Sequence, residues 1–360
     1  MPHPTRRTYT DPFHDGGFSA RIRGNHRGGA AVGQLGRRGQ GPLRRGDHPS
    51  PAGTDPPGGG RGRVGTVSRA ARAGSVAVAA MAGCMPLGPA QAALAAAQAD
   101  LALPAPPSGF TFVETNAQGY DEYTHDSSGI RFVRLPGRSF EMGSPEGETG
   151  RIDPYEAVHT VWLTPFLIAK YEVKQSEYEG VMTGNTAGLD ATPSTATGAN
   201  LPVEQVSWDD LHATDGFLER TGLVLPSEAQ WEYACRAGTS GPYAGNGNLD
   251  DMGWHSGNSG DSTHDVGGKS ANQFGLHDMH GNVLEWCEDV YKSDFYADDV
   301  PGFDPVSILG SGRRVLRGGF FSFGAQFARS ALRAGNSPTD RLEYLGFRPL
   351  SFVFKPGRVE

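Results

Sequence analysis

From about residue 128 onward apolar and polar positions alternate only over short stretches. Phe132-Val-Arg-Leu135 and Ser139-Phe-Glu-Met-Gly143 predict two short strands across a Pro136-Gly137 turn. Val158-His-Thr-Val-Trp-Leu163 and Phe166-Leu-Ile-Ala169 predict a second strand pair around Pro165. Three helices follow. Tyr178, Val181 and Met182 at i, i+3 and i+4 predict one over about 174–183. Ser207-Trp-Asp-Asp210 sets a cap donor three residues before an acid, ahead of Leu211 and Leu218, and predicts a helix over 208–220. Ser227-Glu-Ala-Gln230 is a full capping box, with Pro226 before it and Gly238 just after the helix it starts. Beyond Gly238 the chain is rich in Gly, Asn, Asp and Ser, with strand-like pieces only near 283–287, 314–321 and 345–353. The pattern predicts a mixed α+β domain of low regular content. Irregular connections of this length usually stay ordered with help, often from an ion.

Composition divides the chain. Residues 1–72 carry 13 Arg, no Lys, 16 Gly and four acids, hence +9; since the whole chain is −8, residues 73–360 carry −17. The head is too poor in apolar residues to offset its conformational entropy and is expected to be disordered. The acidic body argues against a nucleic-acid partner, because phosphates need a basic face. Between Arg72 and Asp100 no residue is charged, and Arg69 and Arg72 precede Gly74-Ser-Val-Ala-Val-Ala-Ala-Met-Ala-Gly83 and Ala90-Gln91-Ala92. A positive start, a short apolar run and a small-x-small site have the order of a secretory signal. Met81-Ala82-Gly83-Cys84 also has the outline of a lipoprotein box, which makes Cys84 a candidate lipid anchor. This reading expects a true start near Val64 or Val67 and export to the periplasm, the outer surface or the medium. The alternative is a cytoplasmic protein with a basic tail and an Ala-rich linker. The expected organisation is a head over 1–72, a signal or lipoprotein segment over 73–99, a linker over 100–127, a folded domain over 128–352 and a tail over 353–360. A monomer is expected.

Several segments then resemble a known family. Ser139-Phe-Glu-Met-Gly-Ser144, Phe166-Leu-Ile-Ala-Lys-Tyr-Glu-Val173, Leu201-Pro-Val-Glu-Gln-Val-Ser-Trp208 and Leu225-Pro-Ser-Glu-Ala-Gln-Trp-Glu-Tyr233 look like the formylglycine-generating-enzyme, or sulfatase-modifying factor, family. So do Asn272-Gln-Phe-Gly-Leu276, Asp278-Met-His-Gly-Asn-Val-Leu-Glu-Trp286, Arg317-Gly-Gly319, Arg329-Ser-Ala-Leu-Arg333 and Gly346-Phe-Arg348. The resemblance covers about 128–352 in the family's order. It implies a formylglycine-generating-enzyme-like variant of the C-type-lectin fold.

It also implies a chemistry that this sequence lacks. The family's oxidases bind Cu(I), which prefers soft thiolates, through a cysteine pair between the Arg-Gly-Gly and Gly-Phe-Arg segments. Here Phe320-Phe-Ser-Phe-Gly-Ala-Gln-Phe-Ala-Arg-Ser-Ala-Leu-Arg333 has no cysteine, so copper is not expected and enzymatic activity is left open. Cys235 matches a structural cysteine of the enzyme, but the partner position falls on Ser330. For Cys235 and Cys287 the readings are small buried hydrophobes, a mutual disulfide or a metal pair. An iron site on His277, His280 and Glu285 is disfavoured because Gly281 interrupts helical spacing. Calcium is the better metal candidate: by resemblance its donors fall on Asp278, Gly281, Val283 and Glu285, hard oxygens on a glycine-containing turn. The competing reading pairs Glu285 with an arginine and uses Asp278 to cap the turn.

The segment 317–348 alternates a framework of Arg, Gly and Pro with chemically loose positions, a layout that resembles the variable proteins of diversity-generating retroelements. Phe320, Ser322, Phe323, Asn336, Arg341 and Tyr344 are the candidate contacts for a protein or peptide ligand. Core packing is expected for two of the four phenylalanines at 320, 321, 323 and 327. The arginines are read chiefly as partners of buried carboxylates. The functional expectation is a non-oxidase, ligand-binding family member. The alternatives are a protein-modifying oxidoreductase of formylglycine or non-haem iron type, and a retroelement variable protein.

Overall fold

A computed structural model describes residues 105–152, 155–296, 302–310 and 312–353. The head, the signal-like segment with Cys84 and residues 354–360 lie outside the described residues. One antiparallel sheet has the order β1 (Phe110–Thr115), β2 (Asp121–His125), β3 (Arg131–Leu135), β6 (Phe166–Ala169) and β11 (Leu350–Phe352). A second has the order β10 (Leu345–Gly346), β7 (Leu284–Val290), β8 (Arg314–Arg317) and β9 (Ala334–Asn336), and β4 (Ser139–Met142) pairs with β5 (His159–Trp162) alone. The helices are α1 (Gln175–Met182), α2 (Trp208–His212), α3 (Phe217–Thr221), α4 (Glu228–Arg236) and α5 (Leu249–Met252).

Three expectations need correction. β1 and β2 lie inside the stretch assigned to the linker over 100–127, and they close one side of the five-stranded sheet. Neither predicted strand pair forms: β3 runs between β2 and β6, whereas β4 pairs with β5. Gly137 is a crossing point between sheets, not a hairpin turn, since a Cβ there would lie 2.1 Å from the Leu163 carbonyl oxygen. The helix expected over 208–220 is two helices, broken where Asp215 takes a left-handed φ of 61° and Gly216 follows. Both predicted capping boxes are present, at Ser207 with Asp210 and at Ser227 with Gln230.

The core sets Val133, Leu135, Phe166 and Ile168 of the larger sheet against Trp231, Ala234 and Cys235 of α4, with Cys287 and Val315 of the second sheet beyond. Every residue of α4 is buried, including Glu228, Glu232 and Arg236. Buried charges need paired, hydrogen-bonded partners, and the C-terminal arginines supply them. Arg333 grips Glu228 through Nε at 2.7 Å and Nη2 at 2.8 Å. Arg317 donates to Glu232, which also accepts from Arg236 Nε at 2.8 Å and from the Gly143 amide at 2.8 Å. Burial alone would raise the Glu232 pKa, yet Arg236 and Arg317 hold it below the ordinary value. Glu232→Gln keeps the shape and strands two buried guanidiniums; the expected loss is about 3–5 kcal/mol in urea unfolding.

Asp289 is the buried acid beside this cluster. It accepts from the Glu228 and Ser307 amides, each at 2.8 Å, and burial together with the Glu228 charge pushes its pKa up to about 7. The folded state therefore binds the proton more tightly than the unfolded chain does. Stability from this group is full below about pH 4 and declines as pH rises toward 7. Asp289→Asn removes that slope. Relative to the parent, its stability should rise by roughly 2–4 kcal/mol between pH 5 and pH 8, read by chemical unfolding at the two pH values.

Candidate functional site

The turn that feeds β7 is built from left-handed residues, Asp278 at φ 56°, Gly281 at 90° and Asn282 at 60°. Glycine is required at 281 for space as well, because a Cβ would sit 1.9 Å from the Trp254 carbonyl oxygen. Around this turn three buried carboxylates, Glu172, Asp278 and Glu285, face one buried guanidinium, Arg348. Arg348 takes both oxygens of Glu285 at 2.7 Å, and Trp231 Nε1 adds a third bond at 2.7 Å. Glu172 accepts from Asn282 Nδ2 at 2.6 Å and from the Val283 amide at 3.1 Å. Asp278 accepts from the Gly267 amide at 2.6 Å, and its Oδ1 is buried without a partner. Burial raises the pKa of Glu172 well above the ordinary value, with Asp278 and Glu285 adding to the effect; burial likewise raises Asp278 to about 6.

The expected cation donors are Asp278, Gly281, Val283 and Glu285. Glu285 is not a free ligand; it is engaged by Arg348 and Trp231, the competing reading of that residue. A hard divalent cation takes oxygen donors, and of this set Asp278 Oδ1 is the buried oxygen without a hydrogen-bond partner. Among the described residues no three His, Cys, Asp or Glu side chains converge as a metal cluster. Glu172 was missed from sequence, although it stands in the quoted Tyr171-Glu-Val173 motif.

The two described cysteines are free and buried. Cys235 Sγ lies 3.6 Å from His280 Nε2 and 3.6 Å from Ser330 Oγ. His280 cannot act as its base: Nδ1 is 2.7 Å from the Ala328 carbonyl, and Nε2 is 3.1 Å from the Ala244 amide, which assigns the proton to Nδ1. Burial lowers the His280 pKa to about 4 and pushes the Cys235 thiol up to about 12, so both are neutral near pH 7. Burial also raises Cys287. Thiolates are what Cu(I) needs. His277 bonds the Lys269 carbonyl at 2.8 Å and stacks on Tyr171 at 5.0 Å.

The C-terminal candidates separate into two groups. Phe320 and Tyr344 are core, not contacts: both are buried, and their rings stack at 4.4 Å. Phe321 is buried as well, whereas Phe323 and Phe327 are half-buried with ring centroids 5.0 Å apart. Ser322 is half-buried between the phenylalanines. Asn336 sits in β9 opposite Arg314, away from that cluster in sequence and register. Arg341 is exposed but already bidentate on Asp210, at 2.6 and 2.5 Å. The remaining arginines, 317, 329, 333 and 348, are all buried in ion pairs.

The sulfatase-modifying factor enzyme 1-like domain family matches residues 121–351. The chain is 31% identical over 278 residues to the formylglycine-generating enzyme of Streptomyces coelicolor, covering 60% of this chain and 87% of that protein. Among solved structures it is similar to PvdO from Pseudomonas aeruginosa at 27% identity and TM-score 0.55, covering 68% of this chain and 99% of that one. Treponema denticola variable protein 1 is similar at 25% identity and TM-score 0.52, with the same coverage.

The Cys235–Ser330 contact makes a direct prediction. Cys235 Sγ and Ser330 Oγ are 3.6 Å apart, so a sulfur at position 330 reaches bonding distance after a side-chain adjustment. Oxidised Ser330→Cys should show two titratable thiols under denaturing conditions, against four if no bridge forms, the chain having three cysteines of its own.

Proposed function

Because the chain belongs to the sulfatase-modifying factor enzyme 1-like domain family, we propose that it is a member without copper oxidase chemistry, which binds a protein or peptide ligand through its C-terminal segment. The observation that carries this reading is the segment Phe320–Arg333, where aromatic packing stands in the place of a thiol pair. Half-exposed side chains of the segment are Ser322, Phe323, Phe327 and Asn336, and Arg341 is exposed while paired with Asp210. A peptide of the form Cys-x-Pro-x-Arg, incubated with the full chain, Cu(I) and oxygen, should show no formylglycine by mass spectrometry. Clear turnover would overturn the reading.

A second reading as a diversified binding protein is favoured by one feature: the framework arginines are spent inside the fold while the loose positions at 322, 323 and 327 stay half-exposed. The similarity to Treponema denticola variable protein 1 agrees with it. A near-copy of the codons for 320–345 beside a reverse transcriptase in the genome would select this reading.

Ca²⁺ as a structural ion belongs to the same proposal, supported by the unpartnered Asp278 Oδ1. An ion that binds only the folded state adds about 2.7 kcal/mol at a hundredfold excess over Kd. Thermal melts should rise with millimolar Ca²⁺ and fall with EDTA in the parent and in Glu288→Gln. Asp278→Ala should show neither response, and unchanged parent midpoints would remove the ion from the reading.

A further inference from the structure

A groove of about 810 Å³ opens between α3, β11 and the loop over 302–310, and it shares no residue with the segment 320–345. Its floor is apolar, with Leu218, Leu223, Val224, Leu225 and Phe352. Val306 and Ile308 of the loop over 302–310 line it as well, 39% and 63% exposed, and the same loop carries Phe303 and Leu309 at 66% and 74% exposed. A contiguous exposed apolar patch of this kind marks an interaction site more often than a scattering of single residues does.

Charge selects the occupant. The acidic lining side chains are Glu219, Glu288 and Asp304, with His212 beside them, and among the lining residues there is no lysine or arginine. Asp304 is committed to Thr164, bonding its amide and its hydroxyl at 2.9 Å each. Glu219 is exposed, and Glu288 is half-exposed with His212 Nε2 at 3.0 Å. Two carboxylates thus edge an aliphatic trough.

Backbone geometry adds a direction. β11 is the last strand of its sheet, and Leu350 exchanges hydrogen bonds with Val224 on the outer side, at 2.7 and 3.0 Å. By the two-residue alternation of a strand, the amide and carbonyl of Phe352 point to that same side, where Val224 and Leu223 line the groove. Val224 already holds the outer side at Leu350, so Phe352 alone turns backbone groups toward the groove, and a peptide there meets the apolar floor beside a single strand residue.

We propose that this groove docks an extended peptide segment of a partner protein in which aliphatic residues alternate with Lys or Arg. The aliphatic side chains enter the floor between Leu218 and Phe352, and the basic ones reach Glu219 and Glu288. The experiment uses the full chain and two labelled probe peptides, Val-Lys-Val-Lys-Val-Lys-Val and Val-Glu-Val-Glu-Val-Glu-Val, read by fluorescence anisotropy. The basic probe should bind saturably, and the acidic one should not. Ile308→Asp, on an exposed lip that carries no core packing, should weaken binding by about tenfold or more. The Glu219→Gln, Glu288→Gln double variant should weaken it similarly and flatten its salt dependence. Equal binding of both probes, no binding of the basic probe at millimolar concentration, or unchanged affinity in Ile308→Asp would each overturn the proposal. A concentration-dependent dimer abolished by Ile308→Asp would overturn it in favour of a second copy of the chain. None of these outcomes bears on the segment 320–345, so the two sites stand or fall separately.

Discussion

Buried pairing between arginine and carboxylate is the constraint on which this fold depends. Its strands run from two to seven residues, and its connections are long, so backbone ladders alone leave many loop carbonyls without partners. A planar guanidinium with five donors can hold a carboxylate and reach main-chain oxygens at once. Arg348 does so with Glu285 and the carbonyls of Ala169, Lys170 and His277. Arg329 joins Glu148 and Glu156 to the Gly150 and Gln326 carbonyls, fastening the loop after β4 to the C-terminal segment. Desolvation takes back much of the Coulomb gain of such pairs. Their consequence is positional: each fixes two distant segments in one register.

The same polar interior determines what chemistry is available. His280 spends both ring nitrogens on backbone groups, and burial outweighs the pull of Arg236 and Arg317 on the adjacent Cys235, which stays a thiol. In the C-terminal segment Phe320 stacks on Tyr344 and packs against Phe323 with ring centroids 4.2 Å apart. The buried excess charge lies elsewhere, at Glu172 and Asp278, where oxygen alone is offered.

Local signals in the sequence placed what local physics decides. The capping boxes at Ser207 and Ser227 and the i, i+3, i+4 triad at Tyr178 marked helices that the structure contains. Pairing was not legible: Pro136-Gly137 and Pro165 look like hairpin turns, but which strand lies beside which is settled by contacts across the whole domain. β1 was hidden because its residues are almost all exposed, so no half-buried alternation marks it. Of the site, the turn residues from Asp278 to Glu285 were visible as a motif. That Glu285 would be taken by Arg348, 63 residues away, and that Glu172, more than 100 residues upstream, would join the turn, follows only from the folded chain.

This internal use of arginine also shapes the outer surface. Residues 73–360 carry a net −17, and the described domain sinks Arg317, Arg329, Arg333 and Arg348 into its interior. Each of these arginines is paired with an acid that is buried with it, so none of the four adds positive charge to the surface. Arg341, although exposed, is held by Asp210. A surface so arranged repels acidic partners at long range and draws basic ones. An aliphatic trough edged by Glu219 and Glu288 sets acidic charge beside apolar surface, so that what the field attracts meets a surface able to retain it.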